Sequence, residues 1–185
     1  AWVFLLAPYQ KTRVISFFNP EGDPRGSGYN AIQAMIAVGS GGLFGKGVGY
    51  GTQSRLDFLP ESETDFMFAA FAEEWGLTGI TVITLFFGLL FWRILRISGR
   101  SPDNFSKLFG LGICFLLVGH IAIHVGMNMG LLPVTGVGLP FMSYGGSFLL
   151  MLMAALGILQ SIAIRSSEIK AYQEDYAIRE GADAL

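Results

Sequence analysis

The sequence predicts an all-α polytopic membrane protein. Three complete transmembrane helices and the end of a fourth are expected, with a large external loop containing short helices and a re-entrant Gly/Pro segment. Two observations carry this. Only 14% of the residues are charged and 52% are hydrophobic, whereas soluble domains carry about 25% charged residues. Charge is also missing in blocks: 66–92 holds only Glu73 and Glu74, and neither 108–128 nor 126–164 contains any Asp, Glu, Lys or Arg. Uncharged apolar runs of roughly 18 residues or more can cross a hydrocarbon core about 30 Å thick.

Residues 1–8 (AWVFLLAP) are expected to be the end of a transmembrane helix. They lack the charged n-region and small-residue cleavage site of a signal peptide, and such a start suggests a portion of a longer protein. Residues 9–64 form a polar, glycine-rich loop with turn signals at Asn19-Pro20 and Asp23-Pro24. Within it, 31–38 is apolar but too short to span, which suits a short interfacial or re-entrant helix.

The first complete span is placed at 65–96. Its apolar part, 66–92, has 27 residues, about 40 Å as a helix. Either it tilts, or its first two turns stand clear of the lipid and carry Glu73 and Glu74 into a protein-lined or watery cavity. A loop at 97–106, with the turn Ser101-Pro102-Asp103-Asn104, leads to a second span at 107–128. Residues 129–146 are interrupted by Pro133, Gly136, Gly138, Pro140, Gly145 and Gly146. Non-helical backbone at membrane depth survives only when buried in protein or lining a wet cavity. The third span, 147–165, precedes a polar tail, 166–185, where Ile169, Tyr172 and Tyr176 recur at helical spacing.

Arg93, Arg96, Arg100 and Lys107 cluster between the first two complete spans, and Arg165, Lys170 and Arg179 mark the tail. The positive-inside rule puts both regions in the cytoplasm. The 9–64 loop, Asp65 and the Pro133 region then face outside. A net charge of −2 argues against a nucleic-acid partner held by phosphate contacts. Cys114 is the one cysteine; it excludes a disulfide framework and suits a buried small hydrophobe.

The acidic run FLPESETDFMF places Glu61, Glu63 and Asp65 at an external helix start beside Phe58, Phe66 and Phe68. Partial desolvation there would suit Asp65 as a general base. Ser62-x-x-Asp65 also matches a capping box, so a structural cap is the competing role. Glu73 lies about 80° around the helix from Asp65, a candidate for the same cavity or for a structural salt bridge. His120 and His124 have a spacing compatible with a metal or haem. With no Cys, Asp or Glu near them, helix packing through Gly119, Gly126 and histidine hydrogen bonds is the stronger expectation.

GSGGLFGKGVGYGTQ (39–53) fails the P-loop and dinucleotide patterns, which excludes a nucleotide loop of either kind. Its amides with Lys46, and the nearby Gln53 and Arg55, could cradle another anion such as a lipid pyrophosphate. A tightly packed turn is the alternative.

The run from Tyr9 through LPESETDF, together with LLPVTGVGLPFMSYGGS, resembles the SEDS family (shape, elongation, division and sporulation) of peptidoglycan polymerases. Tyr9-Gln10-x-x-Arg13, Asn19-Pro20 and Gly51-Thr52-Gln53 look closer to its rod-shape branch than to its division branch. The resemblance implies the C-terminal portion of a bacterial cytoplasmic-membrane glycosyltransferase. It would polymerise lipid II into a nascent β-1,4 glycan strand and release undecaprenyl pyrophosphate.

The family's proposed catalytic aspartate corresponds to Asp65 in the motif Leu59, Pro60, Glu61, Thr64, Asp65, Phe66. Family members often have His where this chain has Glu63. Lys46, Gln53, Arg55, Glu61, Thr64 and Ser143 are the candidate substrate contacts, and Asp65 the candidate ligand of a divalent cation, Mg²⁺ or Mn²⁺; neither nucleotide nor haem is expected. The implied partners are a class B penicillin-binding protein transpeptidase and elongation-complex membrane proteins. A flippase of lipid-linked precursor and a non-catalytic scaffold are the rival functions; glycine-broken segments at membrane depth also occur in transporters.

Overall fold

The computed structural model describes residues 8–19, 26–52 and 63–183. Those residues form helices α1 (Pro8–Phe18), α2 (Ser27–Ser40), α3 (Met67–Arg100), α4 (Asn104–Asn128) and α5 (Gly146–Asp183), with no strand among them. The structure is thus all-helical, as expected. Three segments are long and apolar enough to cross a membrane: α3, α4 and the Gly146–Ile169 part of α5. The apolar stub 1–7 lies outside the described residues.

By its contacts the chain divides into two compact units. One holds the residues up to Phe86 with Leu117–Gly146, the other Phe87–Leu116 with the C-terminal part from Ser147.

In the first unit, α1 turns part of the anticipated loop into a helix. Pro8 opens it, where a missing N–H costs nothing and the fixed φ is already helical. It packs against α2, the helix anticipated around 31–38. A small core joins Ala34, Ala37, Phe66 and Ala69, with Val38 and Val134 against it. Three alanines let backbones approach closely around one aromatic ring.

The break in α3 decides the local architecture. Gly76 has φ 61 and ψ −160, values only glycine adopts cheaply. The over-long run of 66–92 is thereby divided into a short helix before Gly76, which carries Glu73 and Glu74, and a long one after it. A broken helix exposes carbonyls at one end and amides at the other. The glycine-rich loop satisfies both. Lys46 N and Gly47 N donate to the carbonyls of Glu73 and Glu74 at 2.9 and 3.0 Å, while Leu77 N and Thr78 N donate to those of Gly42 and Leu43 at 3.0 Å each.

In the second unit, Asp103 caps α4. Its carboxylate accepts the Ser106 amide at 2.8 Å and the Ser106 hydroxyl at 3.0 Å, an N-cap that fixes the helix start. These bonds hold the Asp103 carboxyl below its ordinary value of 3.8. Nearby, Ser166 Oγ donates to the carbonyl of Arg100 at 3.0 Å, tying α5 to the end of α3. Helix α5 runs 38 residues, about 57 Å, so the tail continues the helix. Cys114 is buried, as a small hydrophobe should be.

Candidate active site

The acidic turn 63–66 precedes α3, and its backbone is held from two sides. Tyr144 N donates to the Glu63 carbonyl at 2.8 Å. Ser143 Oγ donates to the Thr64 carbonyl at 2.8 Å while accepting the Leu139 amide at 2.7 Å. Asn128 Nδ2 donates to the Asp65 carbonyl at 3.1 Å. Three consecutive carbonyls, Glu63 to Asp65, therefore each receive a donor. The Gly/Pro segment supplies two of them, so its Ser143-Tyr144 end packs against this turn. Phe141 there has φ 65, a conformation costing about 1–2 kcal/mol for a residue with a side chain. Hydrogen bonds from Met142 N and Ser143 N to the Leu139 carbonyl hold it.

The first turn of α3 has its own capping pair. Phe68 N donates to His124 Nε2 at 3.3 Å, and Ala69 N to Asn128 Oδ1 at 3.2 Å. His124 Nδ1 lies 2.7 Å from the Val137 carbonyl, so that nitrogen carries the proton and Nε2 is the acceptor. Asn128 Nδ2 also donates to the His124 carbonyl at 2.8 Å. Side chains of α4 thus satisfy two amides of the first turn. Asp65 Oδ2 lies 3.6 Å from where a Cβ on Gly136 would sit, and Arg13 Nη1 lies 4.0 Å from the same point. Asp65 and Arg13 thus both reach toward Gly136. Arg13 also lines a small adjoining pocket with Ser16, Ser27, Met35 and Pro133.

Glu73, read from the sequence as a cavity acid or half of a structural salt bridge, and Lys46, read as an anion contact or part of a packed turn, face each other. Lys46 Nζ stands 2.7 Å from Glu73 Oε1. The same oxygen accepts the Thr52 amide at 2.9 Å and the Thr52 hydroxyl at 3.0 Å. A fully buried carboxylate demands charge and donors in this way. The loop's glycines serve close approach: a Cβ on Gly41 would collide with the Ala72 carbonyl, and one on Gly45 with that of Glu74. The expectation that these amides are open to an anion is corrected, because those of Lys46 and Gly47 are bonded to α3. Gln53, Arg55 and Glu61 lie outside the described residues. Among the described residues no three His, Cys, Asp or Glu side chains gather as metal ligands.

Sequence reasoning gave no site role to Arg13, Thr52 or Asn128; it gave His124 packing through hydrogen bonds, which His124 makes to Phe68 and Val137. The available signal was the His124–Asn128 spacing of four, which puts two polar groups on one face of an apolar helix. Gly126 does sit against Leu132, whereas Gly119 faces open space.

The family model of the FtsW, RodA and SpoVE cell cycle proteins matches residues 1–168. The chain belongs to this family. Among relatives, the peptidoglycan glycosyltransferase MrdB of Escherichia coli K12 is 49% identical over 161 residues, which are 87% of this chain and 44% of MrdB. Stage V sporulation protein E of Bacillus subtilis is 45% identical over 159 residues, 86% of this chain and 43% of that protein. The chain spans less than half the length of these curated relatives.

A solved peptidoglycan synthase complex, described for its coordination of polymerization and crosslinking, superposes with a TM-score of 0.68 at 28% identity, covering 87% of this chain and 43% of the other. The rod shape determining protein RodA of Thermus thermophilus, crystallised as an aspartate-to-alanine mutant, gives 0.54 at 32% identity, covering 70% and 39%. In this FtsW/RodA/SpoVE chain, the two stretches that carry the family resemblance meet at Ser143 and Thr64.

Proposed function

We propose that this chain is the C-terminal part of a peptidoglycan glycosyltransferase and that Asp65 is its general base. The placement of the Asp65 carboxylate and the Arg13 guanidinium around Gly136 supports this most directly. In the reaction, the 4-hydroxyl oxygen of an acceptor GlcNAc attacks the anomeric carbon of the donor MurNAc. The hydroxyl proton passes to Asp65, the bond from the anomeric carbon to pyrophosphate breaks, and the configuration inverts from α to β. The base must stand within hydrogen-bond reach of that hydroxyl, and the leaving pyrophosphate needs positive charge. Arg13 supplies it here, since Lys46 is paired with Glu73.

A divalent cation, Mg²⁺ or Mn²⁺, fits this site if Asp65 and the substrate's own pyrophosphate oxygens hold it. Mg²⁺ commonly uses one or two carboxylates plus substrate phosphates. When bound, it adds neutralising charge at the leaving group. Thr64 and Ser143 shape the turn that presents Asp65. Lipid II and the growing strand are the substrates, with Gln53, Arg55 and Glu61 as further contacts. The catalytic side faces outward from the bacterial cytoplasmic membrane. A class B penicillin-binding protein transpeptidase and elongation-complex membrane proteins are the partners, a reading supported by the likeness to a peptidoglycan synthase complex. This segment by itself is inactive.

The test is Asp65→Asn in the whole protein with labelled lipid II in detergent. Polymerisation should fall by at least a hundredfold with binding retained. Undiminished polymerisation removes the base. Wild-type protein that moves lipid II across vesicles without polymerising it would instead establish the flippase.

A further inference from the structure

The cleft in the second unit belongs to none of the chemistry above. It measures about 580 Å³ and lies between the end of α3 and the middle of α5, lined by Arg93, Arg96 and Arg100 on one wall and Gln160, Ser166 and Ser167 on the other. Ile97 and Ile164 supply apolar lining. We propose that this cleft binds the phosphate headgroup of an anionic phospholipid of the inner leaflet.

Four features point to that ligand. The three arginines are spaced three and four apart, so they share one helix face and repel one another unless an anion lies among them. Among the described residues, no carboxylate pairs with any of the three guanidiniums. The opposite wall offers the Gln160 amide, which can donate to a phosphate oxygen without competing charge, while the Ser166 and Ser167 hydroxyls donate to the Arg100 and Ile164 carbonyls.

The third feature is depth. Arg96 lies over the Trp92 ring, 5.1 Å from its centre. Trp and Arg together mark the membrane–water boundary, and the local excess of positive charge marks the cytoplasmic side. Basic pockets between transmembrane helices on that side bind anionic headgroups. The fourth is the mixed lining: Ile97 and Ile164 suit the upper part of an acyl chain, which favours a lipid over a soluble phosphate. The Ser166 hydrogen bond to the Arg100 carbonyl ties the two walls together, so the cleft is built before any ligand arrives.

The whole protein, reconstituted in nanodiscs of phosphatidylglycerol and phosphatidylcholine in equal parts, should retain phosphatidylglycerol preferentially in native mass spectrometry. The combined variant Arg93→Gln, Arg96→Gln, Arg100→Gln should lose that preference. Its all-Lys counterpart should keep most of it, which also controls for misfolding. Millimolar inorganic phosphate should not displace the lipid. Equal retention of both lipids by the wild type overturns the proposal, including the case where a carboxylate elsewhere in the protein fills the cleft. An unchanged preference in the Gln variant, or displacement by phosphate, also overturns it. None of these readouts depends on glycosyl transfer, so this inference and the proposed activity fail separately.

Discussion

Glu73 Oε1 receives the Lys46 ammonium at 2.7 Å across 27 residues of sequence, and the two ends of this bond differ in exposure. The glutamate is fully buried, whereas the lysine side chain is 30% exposed. Removing the lysine leaves a buried carboxylate without the ammonium that neutralises it. Removing the glutamate leaves an ammonium that can reach water.

Lys46→Met should therefore destabilise by about 3 kcal/mol and Glu73→Gln by clearly less. The double variant should recover part of the Lys46→Met loss. Denaturant unfolding in detergent measures the order. Equal losses for both single variants would contradict the asymmetry.

The glycine loop gives a graded series. Gly41→Ala meets the Ala72 carbonyl and Gly45→Ala the Glu74 carbonyl at φ +76, so each should cost at least about 3 kcal/mol or prevent folding. Gly42→Ala, with φ +56 and open space around it, should cost only about 1 kcal/mol of backbone strain. Gly39→Ala, helical and unobstructed, should stabilise by roughly 0.5–1 kcal/mol. Melting temperatures of the four variants should follow that order.

Asn128 serves the Ala69 amide, the Asp65 carbonyl and the His124 carbonyl together. Asn128→Leu leaves these groups without their partner and should cost about 2–3 kcal/mol. If Asp65 is the base, kcat should fall about tenfold with KM nearly unchanged, because the base is misplaced and the substrate contacts remain. A rise in KM alone would place Asn128 in substrate binding instead.

Asp103 makes stability pH-dependent in a defined direction. Its folded value lies below 3.8, chiefly through the Ser106 amide. The stabilisation is then complete above that ordinary value and is lost as pH falls through the lower folded one. Wild type should melt above Asp103→Ala at about pH 6, and the difference should vanish at strongly acidic pH. A difference that persists in acid would mean that the cap does not need its charge.

The three spans and the acidic helix start were legible because charge-free length and motif residues are local properties of a sequence. The break at Gly76 was not, since one glycine in a long apolar run is common and its φ depends on what packs against it. Nor was the use of the glycine loop: composition showed a need for bare backbone, but not whether a ligand or a helix end would approach it. Lys46 and Glu73 were each recognised as unusual, yet their pairing depends on a contact between distant segments. Arg13 was noticed only as part of a motif, and its approach to Gly136, shared with Asp65, required the fold.

The splice between the glycine loop and the two halves of α3 also limits how the gene can change. Four backbone bonds match residues 42, 43, 46 and 47 to residues 77, 78, 73 and 74. Inserting or deleting one residue between Gly42 and Gly47 shifts half of that correspondence and strands polar groups at a helix break. Substitutions can accumulate at outward positions such as Val48, but the length of this stretch should be inherited nearly unchanged.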